Sequence, residues 1–208
     1  KFNYESKATL QLESVSTELA QVYEELVLLH KLSTNMHLTE ADGNFLQMSC
    51  DSLTDIVNVE GIAILLKKTI DGQNRLNLAA GSGLIDIDEL AAAVLHARFI
   101  EEIQNGKEAL LDSEVDSPFK YDWPDNIRNI IVVPLFSKDK GTISNSDEIK
   151  SQTSVLGFLV AINRLDKQDF DSTDIKLFTS VAGSCAVFIE NGKLFKDLKD
   201  LFIGSLRA

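Results

Sequence analysis

Two thiols, three imidazoles and a dense run of carboxylates are the groups in this 208-residue chain with the chemistry to bind or react. Cys50 and Cys185 make neither a disulfide framework nor a zinc pattern. Both fall in helix-like stretches, where a thiol is expected to be buried and inert. His30 and His37 have no carboxylate or cysteine at metal spacing, and neither a His-Glu-x-x-His nor a Cys-x-x-Cys occurs, so no metal site is expected. His96, within a helix-like stretch, is a candidate haem ligand, although a lone histidine on a half-buried helix is more often hydrogen-bonded or exposed. Between residues 101 and 125 stand eight acids (Glu101, Glu102, Glu108, Asp112, Glu114, Asp116, Asp122 and Asp125) against Lys107 and Lys120, a net charge of −6. Such a segment repels a phosphate unless backbone N–H groups meet it, and suits a neutral or cationic ligand, or none. Asp116, Tyr121 and Trp123 are its candidate ligand contacts: the two aromatics either stack on a flat molecule or close a loop over the core. Gly81-Ser82-Gly83 lacks the third glycine of a dinucleotide fingerprint and reads as a turn. No Ser-His-Asp arrangement is suggested, so no catalytic residue is assigned.

The remaining composition limits the partners. Hydrophobic residues make up 44% and charged residues 25%, and 20 basic against 32 acidic side chains leave −12. That mix fits a soluble globular chain with its own core. It argues against a surface built for nucleic acid or an anionic membrane. The longest apolar run, Val155 to Ile162, is far short of the ~18 residues of a membrane span. With no signal peptide visible and few cysteines, a reducing, cytoplasmic setting is expected. The chain opens on Lys1 and stops at Ala208 inside a helix-like pattern, and reads as a piece of a longer protein.

The elements that must position these groups follow from periodicity. Ala8, Leu12, Val15, Leu19, Val22, Leu26 and Leu29 alternate spacings of four and three, a coiled-coil or bundle seam. Thr39 caps a helix over about 40–58 with Phe45, Leu46, Leu53, Ile56 and Val57 inward. Strands are expected over 62–68 and 75–80, joined by the turn Asp71-Gly72. A helix capped by Asp86 or Asp88 runs to about 104, and a short strand is expected at 108–111. Strands follow at 130–136, with Pro134 marking an edge or bulge, and at 155–162. Asp171 caps a last helix of about 37 residues, whose inward set is Phe178, Val181, Cys185 and Phe188 and whose later set is Leu194, Leu198 and Leu201. Short connections favour an α+β fold with an antiparallel sheet.

Residues 157–164 (Gly-Phe-Leu-Val-Ala-Ile-Asn-Arg), 170–174 (Phe-Asp-Ser-Thr-Asp) and the helix ending in Phe188-Ile-Glu-Asn-Gly-Lys-Leu-Phe195 resemble the C-terminal half of a GAF domain. The N-terminal half agrees, from the helix and break near His37 to Leu76-Asn-Leu-Ala-Ala-Gly-Ser-Gly-Leu84, so the resemblance covers about 24–195. It implies a GAF-like, PAS-related central antiparallel sheet of five to six strands flanked by helices. Long N- and C-terminal helices lie on one side, and loops with a short helix cover the other, where ligands sit. The implied division is an N-terminal helix (1–32), the GAF domain (33–190) and a C-terminal signalling helix (191–208). The ending Leu201 to Ala208 is similar to the join between GAF domains and HD-GYP phosphodiesterase domains.

The resemblance also bears on single residues. Members that bind cyclic nucleotides carry an Asn-Lys…Phe…Asp-Glu motif; here Asn163, Phe170 and Asp174 match, with Arg164 for the Lys and Ile175 for the Glu. The two readings are nucleotide binding and, favoured, a structural clasp between last strand and last helix in which Arg164 pairs with Asp174. Bilin-binding and methionine-sulfoxide-reductase members need loop cysteines, which helical Cys50 and Cys185 do not supply, so no covalently bound cofactor is expected. The function implied is a non-enzymatic regulatory sensor that dimerises through Leu12, Val15, Leu19, Val22, Leu26, Leu29, Leu194, Leu198 and Leu201. It would relay binding of an unidentified small molecule to an output domain, with HD-GYP the candidate. The alternative is a ligand-free GAF domain acting only as a dimerisation and transmission scaffold.

Overall fold

The structure, a computed structural model, describes residues 44–83, 87–96, 109–115, 117–137 and 154–206. The seam at 8–29, Thr39, His30, His37, Asp116 and residues 97–108 lie outside the described residues.

Helix α1, Asn44–Val57, buries Phe45, Leu46, Cys50, Leu53 and Val57 on one face, a spacing of three and four. It stops at Asn58, whose φ of 53° is left-handed and whose N–H bonds to Thr54 O at 3.1 Å. Strand β1, Val59–Ile70, then turns through Asp71 (φ 53°) and Gly72 (φ 77°) into β2, Gln73–Gly83, with Ile70 opposite Gln73. Two successive positive φ values make this the two-residue turn whose twist matches paired strands, as the Asp-Gly pair foretells.

Gly81-Ser82-Gly83, expected as a turn, is instead the end of β2, opposite Ala63, Ile62 and Gly61. The glycines serve close backbone approach. A Cβ on Gly83, which has φ 84°, would run into the Glu60 carbonyl. Helix α2, Ile87–His96, β3, Leu110–Ser113, β4, Asn129–Phe136, β5, Val155–Arg164, and α3, Ser172–Leu206, complete the order.

The five strands form one antiparallel sheet in the order β2-β1-β5-β4-β3, so the last strand is its middle. That explains the uninterrupted apolar run of β5: both of its faces are covered. Pro134 lies where β4 has passed the end of β3, which pairs only with Asn129 to Val132, and the register shifts just after it. A residue without N–H is tolerated at such an edge.

Alternation sorts the core into two layers. Ala63, Leu65, Ile130, Val132, Phe158, Val160 and Ile162 pack in one cluster with Leu90, Ala91 and Val94 of α2 and with Trp123 and Ile127. The alternate residues Ile62, Ile64, Ile131, Val133, Leu159 and Ala161, also buried, face the layer that holds α1 and α3. There α3 buries Leu177, Phe178, Val181, Ala182, Cys185 and Ala186, and Phe188 stacks on Phe45 of α1 with ring centroids 4.6 Å apart.

Candidate functional site

Two constructions flank the sheet. The first is the irregular segment between β3 and β4, over the face that carries α2. Asp112, at 6% exposure in β3, organises it. Its carboxylate accepts from Lys120 N at 3.2 and 3.1 Å, from Tyr121 N at 3.3 Å and from Trp123 Nε1 at 2.8 Å. The Trp123 ring is thereby turned into the apolar cluster, with Tyr121 edge-on at 5.8 Å. The far end of the segment is fixed by Asn163. Its Oδ1 accepts from Arg128 N at 2.7 Å, and its Nδ2 donates to Asn126 O and Glu60 Oε2, both at 2.8 Å. This asparagine has φ 56° and is buried; local hydrogen bonding makes Asn one of the few side chains suited to that backbone.

The second construction joins β5 to α3. Arg164 N donates to Asn129 Oδ1 at 2.9 Å, and Asn129 Nδ2 to Gln168 O at 3.0 Å. The Arg164 guanidinium is buried between two carboxylates, with Nε 2.7 Å from Asp166 Oδ1 and Nη1 3.2 Å from Asp174 Oδ1. Neither contact is aligned as a hydrogen bond; the aligned one is Nη2 to Asp166 Oδ2 at 3.4 Å. Asp171 is the N-cap of α3. Its Oδ1 accepts from Thr173 N at 2.8 Å and Asp174 N at 3.1 Å, while Asp174 Oδ2 accepts from Asp171 N at 2.9 Å. That reciprocal arrangement is a capping box closed by Asp in place of Glu.

Burial raises the Asp174 carboxyl above the usual carboxylate range, outweighing the Asp171 N–H and the Arg164 charge. The half-exposed Asp171 goes the other way: burial is the largest single influence and raises its carboxyl, but Lys167 and the N–H groups of Asp174 and Thr173 together outweigh it and hold the carboxyl low. Phe170 packs edge-on against Phe178, 6.4 Å between centroids. Further along α3, Glu190 accepts a short hydrogen bond from Ser137, at the end of β4.

Burial pushes the Cys50 and Cys185 thiols up to about 12, so both stay protonated at neutral pH. Among the described residues no group of three or more His, Cys, Asp or Glu is placed to hold a metal ion. The hydrophobic cluster beneath the β3–β4 segment combines aliphatic side chains with the Trp123 ring.

This strand order, with the chain's last helix on one face and a pegged irregular segment on the other, can be set beside known proteins. The GAF domain model matches residues 26–189. The chain belongs to the GAF domain family. Solved structures share the fold. The GAF domain of a phosphoenolpyruvate-protein phosphotransferase of Coxiella burnetii is 13% identical, with a TM-score of 0.56 over 84% of this chain and 98% of that one. A methyl-accepting chemotaxis protein is 15% identical, with a TM-score of 0.55 over 79% and 98%. The free methionine-R-sulfoxide reductase of Neisseria meningitidis, in complex with its substrate, is 17% identical, with a TM-score of 0.55 over 80% and 89%. No curated protein matches the chain.

Within this GAF domain the candidate residues fall apart into groups. Arg164 and Asp174 come together at the β5–α3 joint, with Phe170 packed on Phe178 of α3, whereas the Asn163 side chain fixes the β3–β4 segment. Tyr121 and Trp123 meet each other, but the Trp123 indole N–H is occupied by Asp112. His96 lies at the end of the described part of α2, and its side chain lies outside the described residues, as do those of Leu194, Leu198 and Leu201 on α3. Asp112, Asn129, Glu60, Ser137 and Glu190 were not assigned from sequence. Asp112 was visible only as one acid among eight, since its donors come from a loop with no period. No helix among the described residues is long and apolar enough to cross a membrane.

Proposed function

We propose that this GAF domain is the regulatory module of a signal-transduction protein, and that α3 carries its state to an output domain. The observation behind this reading is how α3 is held. Arg164–Asp174 and the capping box fix its start, Ser137–Glu190 fixes its middle, and the helix then continues from Glu190 to Leu206. That last stretch is about 24 Å at 1.5 Å per residue. A helix rigidly seated at one end and long at the other converts a small change in packing into a displacement or rotation. On this reading Asn163, Arg164, Phe170 and Asp174 are a structural clasp, and the seams at 12–29 and 194–201 pair two copies in parallel. Asp116, Tyr121, Trp123 and His96 remain ligand-contact candidates in the sensing form of the proposal. The output domain proposed is HD-GYP, on the resemblance of residues 201–208 to the segment that precedes such domains.

A ligand-free scaffold is the second reading, and one observation favours it. The face under the β3–β4 segment is filled by mutually packed side chains, several of them fully buried, and Trp123 is tied by its N–H. The test combines native mass spectrometry of the purified chain with melting curves and Trp123 emission against a small-molecule panel. A sensor acquires or carries a largely uncharged molecule that raises Tm and moves the emission. A scaffold carries none and responds to none. Cyclic GMP and cyclic AMP are expected to leave Tm unchanged, because residues 101–125 carry a net charge of −6 that repels a phosphate; a clear shift at about micromolar ligand restores nucleotide binding.

A further inference from the structure

β2 is an outer strand of the sheet, and an outer strand turns alternate N–H and C=O groups away from its neighbour. At Gly81 that outward pair is already used. Gly81 N–H donates to Gln47 Oε1 at 3.2 Å, and its carbonyl accepts from Gln47 Nε2 at 2.7 Å. One side-chain amide of α1 thus stands where the peptide of a further strand would. Among the described residues no comparable group reaches the rest of the outer edge, residues 73–79.

That open stretch has a chemical preference. The pairing of β1 with β5 stops at Leu66 opposite Gly157, so Lys67 to Ile70 and their β2 partners project as a two-stranded ribbon with all four β1 residues exposed. Lys68 stands directly opposite Arg75, a like-charge pair that disfavours the bare hairpin. Neither of them, nor Lys67, has an ion pair among the described residues. Ile70 at 42% and Leu78 at 48% exposure put apolar surface beside the cations.

We propose that the outer edge of β2 over residues 73–79 docks an extended acidic segment of a partner protein. The segment adds as a sixth strand, backbone to backbone, with carboxylates on the face that carries Lys68 and Arg75 and apolar side chains on the opposite face, beside Leu78. A second copy of β2 is a poorer occupant because it brings the same cations. An anionic membrane is poorer because a lipid surface supplies no strand backbone to pair with the open N–H and C=O groups of β2.

The probe is a fluorescein-labelled peptide of alternating Glu and Val, titrated into the intact chain by anisotropy at low salt. Its controls are a Lys–Val peptide of equal length and the Glu–Val peptide with N-methylated backbone. Expected are saturable binding of the Glu–Val peptide, weakened by about tenfold in Lys68→Glu with Arg75→Glu and by added salt, and loss of binding for both controls. Equal binding of the N-methylated peptide overturns strand addition, and equal binding of the Lys–Val peptide overturns the charge preference. No binding up to about 1 mM overturns the proposal. So does self-association, or capture by phosphatidylserine vesicles, that the same double variant abolishes. Circular dichroism of the double variant, whose two positions are exposed, confirms that the fold is retained.

Discussion

Arg164 and Asp174 meet at 3.2 Å between the end of β5 and the first turn of α3, their side chains only 3% and 1% exposed. The raised Asp174 carboxyl means that desolvation outweighs what the Asp171 N–H and the Arg164 charge supply to its ionised form. The pair is therefore asymmetric in its effects: forming it contributes little, whereas deleting one member strands a buried charge. Asp174→Ala is expected to destabilise the domain by about 3 kcal/mol. Asp174→Asn, which retains an acceptor for the Asp171 N–H, should cost less. Urea unfolding of Arg164→Ala, Asp174→Ala and the double variant measures the coupling. Additive losses would remove the clasp.

Asp171 provides a pH test. Its carboxyl is held low in the folded state, so it adds stability above the unfolded value of about 3.9 and loses it as pH falls through the folded value. Asp171→Asn keeps a capping side chain and removes the charge. The stability gap between the parent and this variant should therefore be constant near neutral pH and close as pH falls from about 5 to about 2. A gap that widens on acidification contradicts the assignment. Asp171→Ala removes the cap as well, at about 1 kcal/mol.

Legibility in the sequence followed how local each cause was. Asp71-Gly72 and Asp171 act on their own neighbours, and both were readable from type and position. The central place of β5 was foreshadowed by its unbroken apolar run. Gly81-Ser82-Gly83 was misread because small residues leave no alternation to see, and the reason for them, the Glu60 carbonyl across the ladder, is distant in sequence. Gln47 gave no signal at all: a glutamine on a polar helix face looks the same whether it is solvated or pairs with a strand edge. Asp112 and Asn163 peg one loop from opposite sides, and their partners, peptide N–H and C=O groups, have no identity in a sequence.

Two glycines should respond oppositely to alanine. At Gly157 a Cβ would strike the Leu65 carbonyl, so Gly157→Ala should cost about 2 kcal/mol or more through strain in the middle of the sheet. At Gly192 a Cβ meets nothing within 4 Å in the helix α3, so Gly192→Ala should stabilise by up to about 1 kcal/mol. Thermal unfolding of the two variants is the check, and equal losses would contradict these backbone positions.

Trp123 is the chain's one tryptophan and reports on the β3–β4 segment. Trp123→Phe keeps the ring in the cluster but removes the N–H from buried Asp112, at a cost of about 1–2 kcal/mol. Asp112→Ala releases three backbone and indole donor groups together, so it should cost more and also shift Trp123 emission toward the red. Emission unchanged in Asp112→Ala would mean the segment is held by apolar packing alone.

The proposal that α3 transmits by its orientation is tested most directly in a chimera. The helix is continued in register into a histidine-kinase output domain, and residues are inserted after Lys193. One residue rotates everything downstream by about 100°, whereas seven restore the facing to within about 20°. Autophosphorylation rates measured across insertions of zero to seven residues should depend on length, with the one-residue form far from the parent and the seven-residue form close to it. A rate that is the same at every insertion length would make α3 a passive tether and contradict the account.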